Sequence, residues 1–378
     1  MIDKSLKIGI DARPFEKKRT GLGRYVFELC KELDKELPNA TFYLYSQFPV
    51  DLPCHSERWI ARIETRTWAK CLKNQVWFKL LCGQFCKRDN LDVFWASATY
   101  CPTLNRSVRL VTTSYDLNNI IIPRTMPFFA RLSSMIFYKQ DVLKADAVIS
   151  ISQGTADRLQ CHYKLVCHAI IRPALSGIFK SKTQEEIEHC LESYSIYSPY
   201  LLAIAIWEPR KNLEVLVKTF LKMKSDGLLS RYKLVLVGRF DARRQGKFSR
   251  LVYSNLQNIL PLGYVPDKDL PMLYSGADLF VFPSIYEGFG MPVLEAIACG
   301  TKVVVSDIPE LHEAGGEDAI YISPNENGIR QGILKALSDK TPQSKSVLSK
   351  ATTWKEGAEV LARVLSSNIG TCEKVHSS

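Results

Sequence analysis

The densest group of residues able to do chemistry lies between Pro283 and Gly300, PSIYEGFGMPVLEAIACG. Glu287 and Glu295 stand eight positions apart and enclose Gly288 and Gly290. A carboxylate that accepts two hydrogen bonds matches the vicinal hydroxyls of a sugar or a ribose. The glycines let backbone come close to a ligand. Pro292 suits the first turn of a helix and Gly300 its C-terminal cap. The group follows an apolar strand pattern, LFVF, so loop amides and a helix dipole converge where an anion such as a diphosphate would bind. Taken singly, each glutamate is more often a solvated surface charge. Two of them flanking a glycine-rich strand-to-helix junction weaken that reading.

Arg210 and Lys211 form a second group, just before a helical pattern that begins at Leu213. Two cations at a helix start oppose its dipole, and an arriving anion explains them better than a simple charge pair does. Gly21 and Gly23 make a lone GxG, a weak signal, and Val26 occupies the place of the third glycine of a dinucleotide fingerprint. A nicotinamide-dependent enzyme is therefore disfavoured. Cys161-His162 and Cys167-His168 do not have zinc-site spacing, so no metal is expected.

These groups need a scaffold, and the chain alternates strand and helix patterns throughout. Strands are expected at Leu6–Asp11, Thr41–Tyr45, Asp92–Ala96, Val108–Thr113 and Ala147–Ile151, with helices at Arg24–Leu37, Phe128–Lys144 and Thr155–Gln160. A polar stretch, 181–198, interrupts the pattern. A second series follows: strands Tyr200–Ile206, Lys233–Val237, Leu279–Phe282 and Lys302–Val305, and helices Leu213–Lys224, Asp269–Tyr274, Pro292–Ala298, Gly328–Leu337 and Trp354–Leu365. Such alternation predicts parallel sheets covered on both faces, with ligands at the carboxyl ends of the strands. The expected division is a first domain over 1–175, a linker over 176–198, a second domain over 199–350 and a terminal helix and tail over 351–378. That last helix is a candidate to pack back on the first domain.

Composition fits an ordinary globular protein of two domains, 378 residues with 46% apolar and 24% charged. The apolar stretches are too short to span a bilayer, and no signal peptide is visible at the amino terminus. Eleven cysteines without a CxxC pair suit reduced thiols in a cytoplasm. Residues 1–175 hold 26 Lys and Arg against 16 Asp and Glu, a net +10 of the whole-chain +11. A basic half suggests an anionic partner: membrane headgroups, a phosphorylated lipid or nucleic acid. No nucleic-acid motif accompanies the charge. Arg58–Arg88 interleaves aromatics and cations, which reads either as a membrane-facing segment or as core helices.

Glu-x7-Glu within SIYEGFGMPVLEAIACGT resembles the signature of retaining glycosyltransferases of family 4, which have the GT-B fold. AIAIWEPRKNLEVLV, ILPLGYVPDKDLPMLYSGADLFVFPS and VVVSDIPELHEAGGEDAIYISP resemble other parts of that family's donor domain. TGLGRYV, TTSYDLNNIIIP and SISQGTADRL resemble parts of its first domain. The likeness covers most of residues 6–324 and is nearest to bacterial enzymes of O-antigen, capsule or exopolysaccharide synthesis. It implies an α/β GT-B architecture: two doubly wound, Rossmann-like domains facing a central cleft. It implies transfer of a hexose from a nucleotide sugar, with GDP-mannose weakly favoured over a UDP-hexose. The acceptor implied is a glycan or a polyprenyl-diphosphate-linked glycan, and the enzyme would sit in the cytoplasm or peripherally on the inner face of the cytoplasmic membrane.

The resemblance also distributes roles. Glu287 would hold donor-sugar hydroxyls, with the amides of Gly288, Phe289, Gly290 and Met291 around the sugar and diphosphate. Glu295 would bind the ribose hydroxyls, while Tyr264 and Val265 flank the base. Arg210 and Lys211 would neutralise the leaving diphosphate in place of a metal, and Gly21 and Gly23 would bring amides to the phosphates. Two departures stand out. Tyr115-Asp116 occupies the family's usual His-Asp, and tyrosine is a poor base near neutrality. Asp116 becomes the acceptor-side candidate, as base or positioner, against an equally weighted reading as a turn cap. Ile206 stands where many relatives carry arginine, for which Arg210 would substitute. The competing reading is a catalytically silent GT-B subunit that binds nucleotide sugar. A nucleotide-sugar 2-epimerase is a third option that the EGFG and EPRKN sequences disfavour.

Overall fold

The computed structural model describes residues 5–16, 21–123, 128–204, 208–238 and 242–367. Two compact units emerge. The first comprises Met1–Ile120, Met126–Ala174 and Thr352–Ser378, the second Ile121–Thr125 and Leu175–Ala351.

The first unit is built on seven parallel strands: β1 (Lys7–Asp11), β2 (Thr41–Ser46), β3 (Trp59–Ile63), β4 (Val93–Ala96), β5 (Arg109–Ser114), β6 (Ala147–Ser150) and β7 (Ala169–Ile170). They lie in the order β3-β2-β1-β4-β5-β6-β7, so the direction of winding reverses between β1 and β4. β4 and β6 are buried along their whole length and β1 and β5 beyond their first residue, as sheets covered on both faces require. The helix described over Gly21–Glu36 includes Gly21 and Gly23, ahead of the start at Arg24 that its apolar face suggests. The segment Arg58–Arg88 divides into β3 and short helices at Thr67–Lys70, Asn74–Leu80 and Cys82–Asp89. Trp77, Phe78, Cys82 and Cys86 enter the core, so the core-helix reading accounts for that side of the segment. Trp68, Val76 and Leu80 remain exposed.

The C-terminal helix Trp354–Ser366 belongs to this unit. Its start is set by a capping box between Thr353 and Glu356. Gly357 permits close approach: a Cβ there would lie 3.1 Å from both Leu29 and Ile171. Arg109 secures the far end by donating to the Leu365 carbonyl at 3.3 Å.

The second unit has six parallel strands: β8 (Tyr200–Ile204), β9 (Lys233–Val237), β10 (Ile259–Gly263), β11 (Leu279–Phe282), β12 (Val303–Ser306) and β13 (Ala319–Ile322). Their order is β10-β9-β8-β11-β12-β13, with the reversal between β8 and β11. The core beneath gathers Leu201, Leu216, Phe220, Leu236, Val281 and Ile333. The stretch 181–198, expected to be part of a linker, contains the helix Gln184–Ser193, opened by a Thr183–Glu186 capping box. Its two buried residues, Ile187 and Cys190, dock it on this unit. Among the described residues no helix is long and apolar enough to cross a membrane.

Candidate active site

In doubly wound sheets the loops at a reversal of strand order diverge and leave room for a ligand. The loops leaving β8 and β11 flank the reversal of the second sheet, and they carry Arg210, Lys211 and Glu287. The turn Pro209–Lys211 closes at Asn212, whose backbone is left-handed at φ 58° and whose amide side chain donates to the Pro324 carbonyl at 2.7 Å. The Ile285 amide donates to the Arg210 carbonyl at 2.7 Å, which ties the two loops together. Glu287 then accepts from Arg210 Nη1 at 2.7 Å and from Lys211 Nζ at 2.6 Å. Arg210 also donates to the Tyr286 carbonyl at 3.1 Å, and its Nε pairs with Glu208. The Lys211 ammonium lies 4.7 Å from the centre of the Phe282 ring, a cation–π contact.

Glu287 and Lys211 are both buried. Burial alone would raise the Glu287 pKa, but the Lys211 and Arg210 charges outweigh it and hold the carboxyl below its ordinary range. Burial lowers the Lys211 pKa, against the pull of Glu287. The carboxylate stays ionised near neutrality because it faces two cations. The cations that opposed a helix dipole in the sequence therefore already have a counter-charge within the fold, Glu287. They sit in a turn just ahead of the helix Leu213–Ser225 rather than in its first turn.

Gly290 caps the helix Met291–Ala298 with a left-handed backbone, φ 109°. A Cβ there would meet Leu311 Cδ2 at 2.5 Å, so glycine is required on both counts. Phe289 is buried beside it. Glu295 lies one turn into this helix, buried, and accepts from the Tyr274 hydroxyl at 3.2 Å. Tyr264 and Val265 follow β10 at the same carboxyl edge of the sheet, the tyrosine 51% exposed and the valine buried. They are three strands from β11, and no direct contact joins them to Glu287 among the described hydrogen bonds.

In the first unit, Gly21 and Gly23 lie in a helix rather than in a glycine-rich loop, a correction to the expected start at Arg24. A Cβ at Gly21 would meet nothing within 4 Å, so close packing does not explain that glycine. Tyr115 donates its hydroxyl to the Ser97 carbonyl at 2.6 Å. Burial raises its pKa well above the usual value, with Tyr25 next, so it is no base. Asp116 accepts from the Asn118 amide and from the Asn118 side chain, both at 3.2 Å, which is the turn-cap geometry. Ile206 lies outside the described residues. Among the described residues no cluster of His, Cys, Asp and Glu is arranged to hold a metal.

Sequence reasoning missed Glu208, Phe282 and Tyr274. Glu208 lies in the same EPRKN run, where its carboxylate was a signal. Tyr274 lies 21 positions before Glu295, and no periodicity connects them.

Residues 197–357 match the profile of glycosyl transferases group 1. That match lies almost wholly within the second unit, and the two doubly wound parallel sheets have the GT-B fold. Over 364 residues it is 27% identical to an O-antigen chain mannosyltransferase B of Escherichia coli, covering 88% of this chain and 91% of that one. It is 33% identical over 205 residues to the serotype-specific mannosyltransferase WbdA of Escherichia coli, which is 52% of this chain and 25% of that one. The crystal structure of WaaG, a glycosyltransferase involved in lipopolysaccharide biosynthesis, superposes with a TM-score of 0.67 at 16% identity, covering 96% of each chain. That last likeness speaks for the fold alone.

Proposed function

We propose that this chain is a retaining, metal-independent glycosyltransferase of family 4 that adds mannose, from GDP-mannose ahead of a UDP-hexose, to a growing lipid-linked surface polysaccharide. The observation that carries the reading is the Arg210–Glu287–Lys211 cluster, with Glu287 and Lys211 buried, at the reversal of the donor-half sheet. Arg210 and Lys211 receive the diphosphate, and as negative charge grows on the departing phosphate oxygen these preorganised cations stabilise it. Glu287, released from them, accepts from the hexose hydroxyls, while amides from Gly288, Phe289, Gly290 and Met291 surround sugar and diphosphate. Glu295 takes the ribose hydroxyls, and Tyr264 and Val265 flank the base. Gly21 and Gly23 offer backbone amides to the phosphates. On the acceptor side Asp116 positions the incoming hydroxyl, and the leaving diphosphate takes its proton on the same face of the sugar. Mannose is favoured because the curated relatives above are named mannosyltransferases. The basic first half suits a cytoplasmic enzyme attached peripherally to an anionic inner membrane face.

The test is transfer of labelled sugar from GDP-mannose and from UDP-hexoses to a polyprenyl-diphosphate glycan. Glu287→Ala is expected to lower the rate by about 100-fold or more. Transfer is expected to persist in excess chelator, and a loss that manganese restores would count against the metal-free reading. The second reading, a silent nucleotide-sugar-binding subunit, draws on Tyr115, which stands where the family resemblance implies a histidine and donates its hydroxyl to the Ser97 carbonyl. No transfer by the wild type with any donor, despite nucleotide binding, would favour it.

A further inference from the structure

The Tyr274 hydroxyl reaches a functional carboxylate from a different helix. Tyr274 lies on the helix Leu270–Ser275 and Glu295 on Met291–Ala298, with β11 between them in sequence. The phenol is firmly placed. Its ring packs edge-on against Phe280 at 5.4 Å and Phe179 at 6.1 Å between centres. Its carbonyl accepts from Thr301 Oγ1 at 2.5 Å, and the neighbouring Leu273 carbonyl accepts from the Tyr200 hydroxyl at 2.7 Å. Buried Tyr200 and Tyr25 satisfy their hydroxyls on the backbone carbonyls of Leu273 and Ile171, while Tyr45 donates to the Asp89 carboxylate. Tyr274 donates to Glu295 Oε2 at 3.2 Å. A glutamate has three side-chain torsions, and a donor fixed at one oxygen selects a single carboxylate orientation. A carboxylate offers about four acceptor positions, of which the phenol takes one.

We propose that Tyr274 is a positioning residue, which holds the Glu295 carboxylate in the orientation that accepts the ribose hydroxyls of the donor nucleotide. This rests on the ribose role proposed for Glu295. The experiment measures dissociation constants by calorimetry for GDP and UDP and for their 2′,3′-dideoxy forms. For the wild type, loss of the ribose hydroxyls is expected to weaken binding roughly tenfold or more, the scale of hydrogen bonds to a charged group. In Glu295→Gln that penalty should fall to about threefold or less, since the charged acceptor is gone. Tyr274→Phe keeps the ring and its packing. It should weaken the ribose nucleotide roughly five-fold and leave the dideoxy form unchanged, so the penalty shrinks. A turnover assay should show the same loss in KM with kcat nearly unaltered. If Tyr274→Phe weakens both nucleotide forms equally, or neither, while Glu295→Gln abolishes the penalty, the positioning role is wrong and the ribose role stands. If Glu295→Gln retains the full penalty, the ribose assignment fails and takes the positioning role with it.

Discussion

Glu287 occupies the two cations that a diphosphate would need, so in the free protein a carboxylate stands where phosphate charge is proposed to go. A donor must displace that carboxylate, and the displaced group becomes available to sugar hydroxyls. Glu287→Gln separates these two parts. An amide competes poorly for Arg210 and Lys211, so GDP or UDP alone should bind several-fold tighter, while transfer falls by about 100-fold. The same variant should melt earlier, since it leaves two largely buried cations without their shared counter-charge, a cost of about 3 kcal/mol. Weaker nucleotide binding together with lost transfer would show instead that Glu287 mainly holds the cations in place. Glu287, Arg210 and Lys211 were legible in the sequence because each sits in a compact local motif. That Glu287 pairs with both cations was not, because residues 76 and 77 positions apart meet only through the order β8-β11. Tyr115 and Ser97 illustrate the same limit, since the position of a tyrosine in the sequence says nothing about which carbonyl accepts from its hydroxyl.

Elements fix these residues through a few positions that tolerate little change. Gly290→Ala would impose a side chain on a left-handed backbone and drive its Cβ into Leu311. The second unit should lose about 2 kcal/mol, read as a lower melting temperature that saturating nucleotide only partly restores. In the first unit, Glu64 closes β3 by accepting from Arg66 Nε at 2.9 Å, Arg66 Nη2 at 2.8 Å and Trp77 Nε1 at 2.7 Å. The Arg66 hydrogen bonds lead in pulling its pKa down to about 2, against burial. A depressed carboxylate contributes stability above its unfolded value, near 4.5, and loses it as pH falls toward about 2. Glu64→Gln should therefore be destabilised by about 2 kcal/mol at pH 7, and the gap should close between pH 4.5 and about 2. Tryptophan fluorescence can follow this, since five of the six tryptophans lie in the first unit. A gap that persists unchanged at low pH would contradict the ionic origin. Element boundaries were most legible where patterns were strong: Lys233–Val237, Leu279–Phe282 and Phe128–Lys144 form as expected. The edge strand β3 was hidden because WIARI is buried at Trp59 and only partly covered elsewhere. The helix Gln184–Ser193 was hidden because just two of its residues are buried, although its capping box was in plain view.

At the scale of the whole chain, charge and exposed apolar surface coincide in the first unit. Residues 65–88 carry six Lys and Arg and no Asp or Glu. Trp68 and Leu80 there are 59% and 65% exposed, and Leu132 and Ile136 of the helix Phe128–Lys144 are 46% and 47% exposed. Lys79 joins the two regions: it pairs with Asp141 and lies 4.8 Å from the Phe137 ring. Apolar side chains ringed by cations suit a surface of anionic headgroups, where each Lys or Arg near the membrane contributes about 1 kcal/mol. Such attraction falls away as the Debye length shrinks with salt. The protein should float with phosphatidylglycerol vesicles at low ionic strength, not with neutral vesicles, and should release in about 0.5 M salt. Leu80→Glu combined with Ile136→Glu should abolish flotation by adding like charge and removing apolar contact, while the exposed positions leave the melting temperature unchanged. A wild-type protein that stays in the aqueous fraction with anionic vesicles at low salt would refute attachment through this face. It would also shift the acceptor assignment toward a soluble glycan, since a lipid-linked chain is reached at the membrane.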